Sequence, residues 1–412
     1  MTQTEPLHRF RFLGREITFD PACVCPDDSL QVNARSYPVR SLALDISGNC
    51  NLQCLYCAES STLPARQPMG EEVLHRSLDL LFSDSPENCA VSVHLGSGEP
   101  LLRPSLVRTI GEIAREHKAK SSRPVDLYLT TNGTLLDDPL IANLHEYGWN
   151  LKISIDGPAK VHDRFRLDKT GGPSFDRVCR AIRQVVPIMG DTFSTTSVLC
   201  HGTDPSSVFY FLAGLGVRRI ELVPVALANN PALRLDESDL LAYRQFMADY
   251  VRRLALGEDL PTHIRFKKRL QRVMGYFNTS IACDASRTFL AVGPDGTLYP
   301  CFRFAGLPEY ALGHLDTGVD NERRARFTAG TGRPYQARTC AGCWVSPICG
   351  GPCFAVADLM CGGQPDPVFC AIARAETEAA LYLAEVLREQ SPEILLDLAG
   401  IPVVFDEEGS LT

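Results

Sequence analysis

The chain has 412 residues, 45% hydrophobic and 22% charged, so it can bury a large core and is not a disordered polymer. A net charge of −8 argues against a general binder of nucleic acid or of an anionic membrane. No apolar run is long enough to span a bilayer, and MTQTEPLHRFRF at the start has no apolar signal core, so a cytoplasmic protein is expected.

Residues 1–39 form an N-terminal extension in which Phe10, Phe12, Ile17 and Phe19 flank Leu13-Gly14-Arg15, predicting a short hairpin. From 40 to 235, apolar strands at 42–46, 90–95, 127–130, 151–155, 195–199 and 220–225 alternate with helical patterns. Examples are Leu74, Leu78 and Leu81, and Leu106, Ile110, Ile113 and Ala114. Every strand-to-strand interval exceeds the dozen or so residues of a parallel crossover, so six βα units and an α/β fold are expected. Residues 236–282 read as a helical bridge, with Leu240, Tyr243, Met247, Tyr250, Val251 and Leu254 on one face. Residues 283–375 are rich in Cys, Gly and Pro and read as mostly irregular, held by ligand bonds more than by apolar burial. A helix over 371–390 and an apolar tail at 394–406, expected to pack on the barrel or else on a partner, dominate 376–412.

Cysteine is the outlier, with 16 in all and eight between Cys283 and Cys370. Without an export signal, metal or iron–sulfur ligation explains them better than disulfides do. The first group, Cys50, Cys54 and Cys57, follows the first strand in LALDISGNCNLQCLYC with the spacing CxxxCxxC. Structural zinc takes four protein ligands, so three thiolates suit either a zinc fragment or a [4Fe–4S] cluster with one iron open to a small molecule.

CxxxCxxC after a first strand, with Tyr56 before the last cysteine, resembles the radical S-adenosylmethionine (radical SAM) superfamily. That resemblance implies that Cys50, Cys54 and Cys57 carry a cluster whose open iron chelates SAM. An electron from the cluster then cleaves SAM to a 5′-deoxyadenosyl radical, which abstracts hydrogen from the substrate. His94-Leu95-Gly96-Ser97-Gly98-Glu99-Pro100 is similar to the family's GGEP motif, with Ser97 for the first glycine, and implies that Gly98 and Glu99 contact SAM. LKISIDGPAKVHDRFR resembles a segment of peptide- and protein-modifying members. It implies a ribose contact for Ser154 and includes Asp156, Asp163 and Arg166. Thr130-Thr131-Asn132-Gly133 also fits, with Asn132 either a ligand contact or a turn residue.

The second group runs Cys283–x₁₂–Gly296–x₄–Cys301, then Cys340, Cys343, Cys349 and Cys353 spaced CxxCx₅CxxxC, then Cys370. This is similar throughout to the SPASM domain motif, and Asp295-Gly296 reads as the turn of a short hairpin. The resemblance implies two auxiliary clusters: an outer one on Cys340, Cys343, Cys349 and Cys370, and an inner one on Cys283, Cys301 and Cys353. Many relatives supply a fourth inner ligand between the first two cysteines; here that position is either open or taken by Cys361. A zinc ribbon on the same cysteines is the alternative. Cys89, Cys179 and Cys200 read as buried small apolar residues, and Cys23 and Cys25 as loop thiols.

By resemblance, the fold is a partial (β/α)₆ TIM-type barrel over 40–235 followed by a Cys-rich SPASM domain over 283–375. The implied cofactors are three [4Fe–4S] clusters and SAM. The implied function is maturation of a ribosomally made precursor peptide by a thioether or carbon–carbon crosslink, with a flavodoxin- or ferredoxin-type reductant. The N-terminal stretch is too short for the winged-helix-like leader-recognition domain of some relatives, so a separate leader-recognition protein is a candidate partner. Epimerisation, splicing or decarboxylation and formylglycine formation are alternatives. Sulfatase-maturating relatives carry an Asp directly after the Gx₄C cysteine, and here that position is Phe302. The reading from another class is a non-catalytic iron–sulfur electron carrier, for which Glu99 and Ser154 would have no purpose.

Overall fold

The computed structural model describes residues 7–21, 37–57, 67–121, 123–228, 230–276, 283–336, 340 and 342–401. Cys23 and Cys25 lie outside them. The predicted N-terminal hairpin is present, with β1 (His8–Phe12) antiparallel to β2 (Arg15–Phe19).

All six predicted strands form and pair in chain order, every pair parallel: β3 (Ser41–Leu44), β4 (Val91–Leu95), β5 (Val125–Thr131), β6 (Trp149–Ser154), β7 (Phe193–Leu199) and β8 (Arg219–Pro224). The alternation that marked them decides which way each side chain points. Leu42, Leu44, Val91, Val93, Leu127, Leu129, Leu151, Ile153, Ile220 and Leu222 are buried in the main core. That core also holds the apolar stripes of α1 (Glu71–Asp84), α2 (Pro104–Ser121) and α5 (Phe175–Met189). The other face is polar and concave. Lys152 on β6 reaches across β7 to Glu221 on β8 at 2.7 Å, and His94 stacks on Tyr128 at 4.7 Å. Helices α3 (Asp138–Glu146), α4 (Ala159–Phe165) and α6 (Pro205–Gly214) complete the crossovers. Two of these helices start on the same signal: Asp137 and Asp204 each cap the first turn, with Pro at the beginning of the helix.

The sheet does not close on itself. Among the described residues, β8 is followed by β9 (Thr262–His263), and the far edge continues from β3 through β10 (Phe289–Val292), β11 (Thr297–Tyr299), β12 (Gly313–His314) and β13 (Gly318–Val319). The barrel is therefore partial, as expected. The hairpin expected within the Cys-rich region is instead annexed to the barrel, since β10 pairs parallel with β3. Its turn is the four-residue loop 293–296, in which Asp295 accepts from the N–H and hydroxyl of Thr297 and Gly296 takes φ +90°.

The bridge forms α7 (Glu237–Ala255), with the predicted apolar face and an Asp236/Asp239 capping box, and α8 (Ile264–Val273). The region read as mostly irregular contains α9 (Asn321–Gln336), whose first N–H groups are taken by Asp320, and two short helices, α10 (Ser346–Cys349) and α11 (Phe354–Met360). The next helix, α12 (Pro367–Gln390), starts earlier than the predicted 371 because Asp366 caps it and Pro367 fits its first position, so Cys370 lies in its first turn. α12 packs along α7 and α8, and α13 (Pro392–Ala399) folds back on it.

Candidate active site and cysteine centres

The segments singled out by sequence converge at the C-terminal ends of the parallel strands, where barrels of this kind collect their chemistry. Cys50, Cys54 and Cys57 lie in the loop after β3, Gly98 and Glu99 in the turn after β4, Asn132 just after β5, and Ser154 is the last residue of β6. The cysteine loop is pinned by backbone. Gln53 and Leu55 donate to the carbonyls of Leu167 and Phe165, and Leu52 bridges to Asp168.

Gly98 shows why this turn needs glycine. Its φ is +57°, and a Cβ there would stand 2.2 Å from the carbonyl oxygen of Asn49, next to Cys50. Glu99, fully buried, bonds the N–H of Leu101 (2.9 Å) and the hydroxyl of Thr131 (2.7 Å) through Oε1, and the N–H of Asn132 (2.7 Å) through Oε2. Burial raises its pKa and these donors oppose the rise. Oε2 retains acceptor capacity for an ammonium group. Asn132 is a turn residue that also reaches the cysteine loop: its Oδ1 accepts from Thr134, and its Nδ2 donates to Asn51 and lies 3.7 Å from Cys50 Sγ. Replacing Gly98 by Ala forces a left-handed alanine, costing about 1–2 kcal/mol, and displaces the Asn49–Cys50 backbone. We expect reconstituted G98A to bind less iron at the N-terminal trio than the wild type, read as iron per chain in a variant whose other cluster cysteines are alanine.

Asp156, Asp163 and Arg166 resolve into definite parts. Asp156 is fully buried and accepts from Tyr56 Oη (2.6 Å), Arg166 Nε (3.0 Å) and the N–H of Val198 (3.0 Å). Arg166 lies over the Tyr56 ring at 5.4 Å and points Nη1 at Cys54 Sγ, 3.9 Å away. His162 takes the Asp156 N–H on Nδ1 at 3.3 Å, so its proton is on Nε2, facing Ser174 Oγ at 2.9 Å; that hydroxyl donates to the Arg166 carbonyl at 2.6 Å. Burial pushes His162 down to about 4, which keeps the relay neutral. Asp163 caps α5 through the N–H groups of Ser174 and Phe175 and stands outside this network.

The second group lies in the Cys-rich region that follows the barrel. Burial pushes Cys370 up to about 11, with Cys349, Cys340 and Cys343 adding to the rise. Burial likewise raises Cys301 to about 12, with Cys283 and Cys353 adding to the rise. Cys361 ends α11, and after burial the groups acting on its thiol are Asp366 and Arg234. Cys179 and Cys200 are buried as predicted; Cys89 is only half-buried, in the turn after α1, with its thiol on Asn88. Its position before β4 was too close to the surface turn for the strand to cover it.

A feature without a sequence signal joins the two groups. Val225 and Ala228, just after β8, pack in one cluster with Tyr56, Phe165 and Cys200, against which Cys54 lies. Leu227, between them, packs with Phe304, Ala355 and Val356, against which Ala226, Cys301, Cys353 and Cys361 lie. Leu227 holds φ +59° and donates its N–H to Met360 Sδ at 2.9 Å. A left-handed leucine is strained, and the packing on both sides keeps it there.

The thiols fit iron–sulfur ligation. All described cysteines are free. Burial raises Cys54 to about 12, so a bare thiolate there is disfavoured and a bound cation is what would deprotonate it. The polar side-chain groups directed at the first trio, from Asn132 and Arg166, are N–H donors aimed at sulfur rather than a fourth zinc ligand.

Residues 44–208 match the Radical SAM superfamily profile. A serine-type anaerobic sulfatase-maturating enzyme of Bacteroides thetaiotaomicron is 32% identical over 35% of this chain and 36% of its own length; the chain thus spans about a third of that relative. Of solved structures, anSMEcpe with bound AdoMet superposes over 88% of this chain and 99% of its own with a TM-score of 0.74 at 21% identity. Streptococcus suis SuiB bound to precursor peptide SuiA covers 81% of this chain and 76% of its own with a TM-score of 0.57 at 16% identity. Both show the same fold.

Proposed function

We propose that this chain is a radical SAM enzyme and a peptide maturase that takes hydrogen from a side chain or α-carbon of a ribosomally made peptide and closes a thioether or carbon–carbon crosslink. The observation that carries this reading is the segment 225–228. It sets the wall of the Cys54–Tyr56 site back to back with that of Cys301 and Cys353. A pure electron carrier has no use for the Glu99 and Ser154 arrangement beside the first trio.

Cys50, Cys54 and Cys57 would hold the SAM-binding [4Fe–4S] cluster, with Tyr56, Gly98, Glu99, Asn132 and Ser154 around SAM. Cys283, Cys301 and Cys353 would hold the inner auxiliary cluster, and Cys340, Cys343, Cys349 and Cys370 the outer one. When bound, these groups supply a 5′-deoxyadenosyl radical and an electron sink. The chain does the positioning. Asp156 bonds both Tyr56 and Arg166 and so holds Arg166 toward Cys54, Glu99 offers Oε2 to an ammonium, and the apolar segment 225–228 packs on the Tyr56 side, where it would help to exclude water from a bound substrate. The fourth inner position is either open, where a substrate thiolate could bind, or taken by Cys361, which packs against the same cluster as Cys301 and Cys353.

Formylglycine formation is the second reading, favoured by the sulfatase-maturating relative. Against it, Phe302 stands where those enzymes carry Asp, 40% exposed and stacked by Arg303. The test is anaerobic incubation of the reconstituted, reduced protein with SAM and a short peptide encoded beside its gene, followed by mass spectrometry. A crosslink appears as loss of two hydrogens without aldehyde reactivity. A hydrazine-reactive product establishes formylglycine instead. Intact SAM and unchanged peptide, with all iron present, reject the maturase reading. Adding a flavodoxin- or ferredoxin-type reductant, with and without a separate leader-binding protein, tests the partners.

A further inference from the structure

A second buried charge network lies away from the strand ends, where α7, α8 and α12 meet. Glu376 on α12 is fully buried. Its Oε1 accepts from Arg265 Nε at 2.8 Å and from Tyr243 Oη at 3.0 Å, and its Oε2 from Arg265 Nη2 at 3.3 Å and Arg269 Nε at 3.2 Å. One carboxylate thus serves two guanidiniums. The neighbouring His263 does not change this balance, because burial pushes it down to about 4 and leaves it neutral.

The excess cation has a direction. Arg269 Nη1 donates to the carbonyls of Ile348 (3.1 Å) and Cys349 (2.9 Å), and Arg272 Nη1 adds a bond to Ile348 at 3.3 Å. These carbonyls end the short helix α10, whose last residue is Cys349. Cys370 sits in the first turn of α12, the helix that carries Glu376. Arg269 therefore links the backbone of one predicted outer ligand to the helix of another. The same residues face one cavity of ≈ 840 Å³, lined by Cys340, Cys343, Cys349 and Cys370 on one side and by Arg265 and Arg269 on the other. The lining of that cavity also includes Glu221, Lys268, Arg272 and Arg374, so its cations outnumber its carboxylates five to two, and holding such an excess in a partly buried place is costly. An anionic centre in that cavity accounts for the charge.

We propose that Arg269, held by Glu376, is a positioning residue for the outer auxiliary cluster: it fixes Cys349 against Cys370 and sets a positive charge beside the four thiolates. This rests on the ligand assignment given above. A four-thiolate cluster becomes more negative on reduction, so a fixed neighbouring cation favours its reduced form.

The test uses the full chain with Cys50, Cys54 and Cys57 replaced by alanine, leaving only the auxiliary clusters, about eight irons. In this background, Arg269→Met is expected either to lose about half the iron or to keep it with the midpoint of one cluster moved to lower potential, followed by electron paramagnetic resonance. Arg269→Lys, which keeps the charge, should recover iron and part of the shift. If Arg269→Met does not fold, the lysine variant alone must still move the midpoint. Iron content and midpoint both unchanged, even with a lower apo-protein melting temperature, overturn the proposal. Cys349→Ala reports on the ligand assignment separately: retention of all iron there overturns the assignment. Iron lost in C349A with an unmoved midpoint in R269M overturns the positioning role alone.

Discussion

Cys54→Ala is expected to bring 5′-deoxyadenosine formation down to background while about eight of about twelve irons stay bound. Cys54 has both an apolar and a cationic neighbour. It packs on the Tyr56–Phe165–Cys200 cluster and is the sulfur that Arg166 addresses. On the proposed assignment an alanine removes one of three ligands and leaves the Arg166–Asp156 pair without its sulfur neighbour, so the two remaining thiolates would not hold an iron open to SAM. The auxiliary cysteines lie on other elements, behind the segment 225–228, and should load normally. The check combines a SAM-cleavage assay on reduced protein with iron and sulfide counts. Continued SAM cleavage by C54A would reject the catalytic assignment. Loss of all iron would instead mean that the two cysteine groups load as a unit.

The barrel was legible because its signals are local. Alternation and β-branched or leucine-rich runs mark β3 to β8, and each motif that matters to the site sits within a few residues of a strand end, as at Asn132 and Ser154. The division of the second group into outer and inner sets came from its resemblance to a known motif, and the neighbours acting on Cys370 and Cys301 are compatible with it. What escaped is long-range or conformational. Nothing near Phe289 announces that it will pair with Ser41, because parallel registry is set by the whole sheet and not by a turn. Nothing in LVPVALAN announces a left-handed leucine, since Leu227 is held by packing from both sides against its own preference. Two misses had a signal. Asp366-Pro367 is a helix start that the surrounding cysteines and prolines disguised as loop. Glu376 occupies the apolar stripe of its helix with Ile372, Ala379, Ala380 and Leu383, and a carboxylate on such a stripe implies a buried cationic partner.

That carboxylate gives the second large effect. Glu376→Gln should destabilise the protein by about 3 kcal/mol at pH 7, the cost of removing the buried carboxylate that both guanidiniums bond. The pH dependence separates charge from shape. Although burial alone would raise it, Arg265 and Arg269 hold the Glu376 carboxyl down at about 2. A lowered folded-state pKa stabilises fully above the unfolded value near 4.5 and is lost as pH falls toward the folded one. The wild type should therefore lose stability on acidification through this group, whereas E376Q, with nothing to protonate there, should not. The gap between them should narrow by roughly 1 kcal/mol between pH 7 and pH 4 and keep narrowing below that. Urea unfolding at a series of pH values, on protein with matched iron content, measures it. A gap that is large but constant with pH would assign Glu376 to packing, and the net positive charge inferred beside Cys349 would then need another counter-ion to explain it.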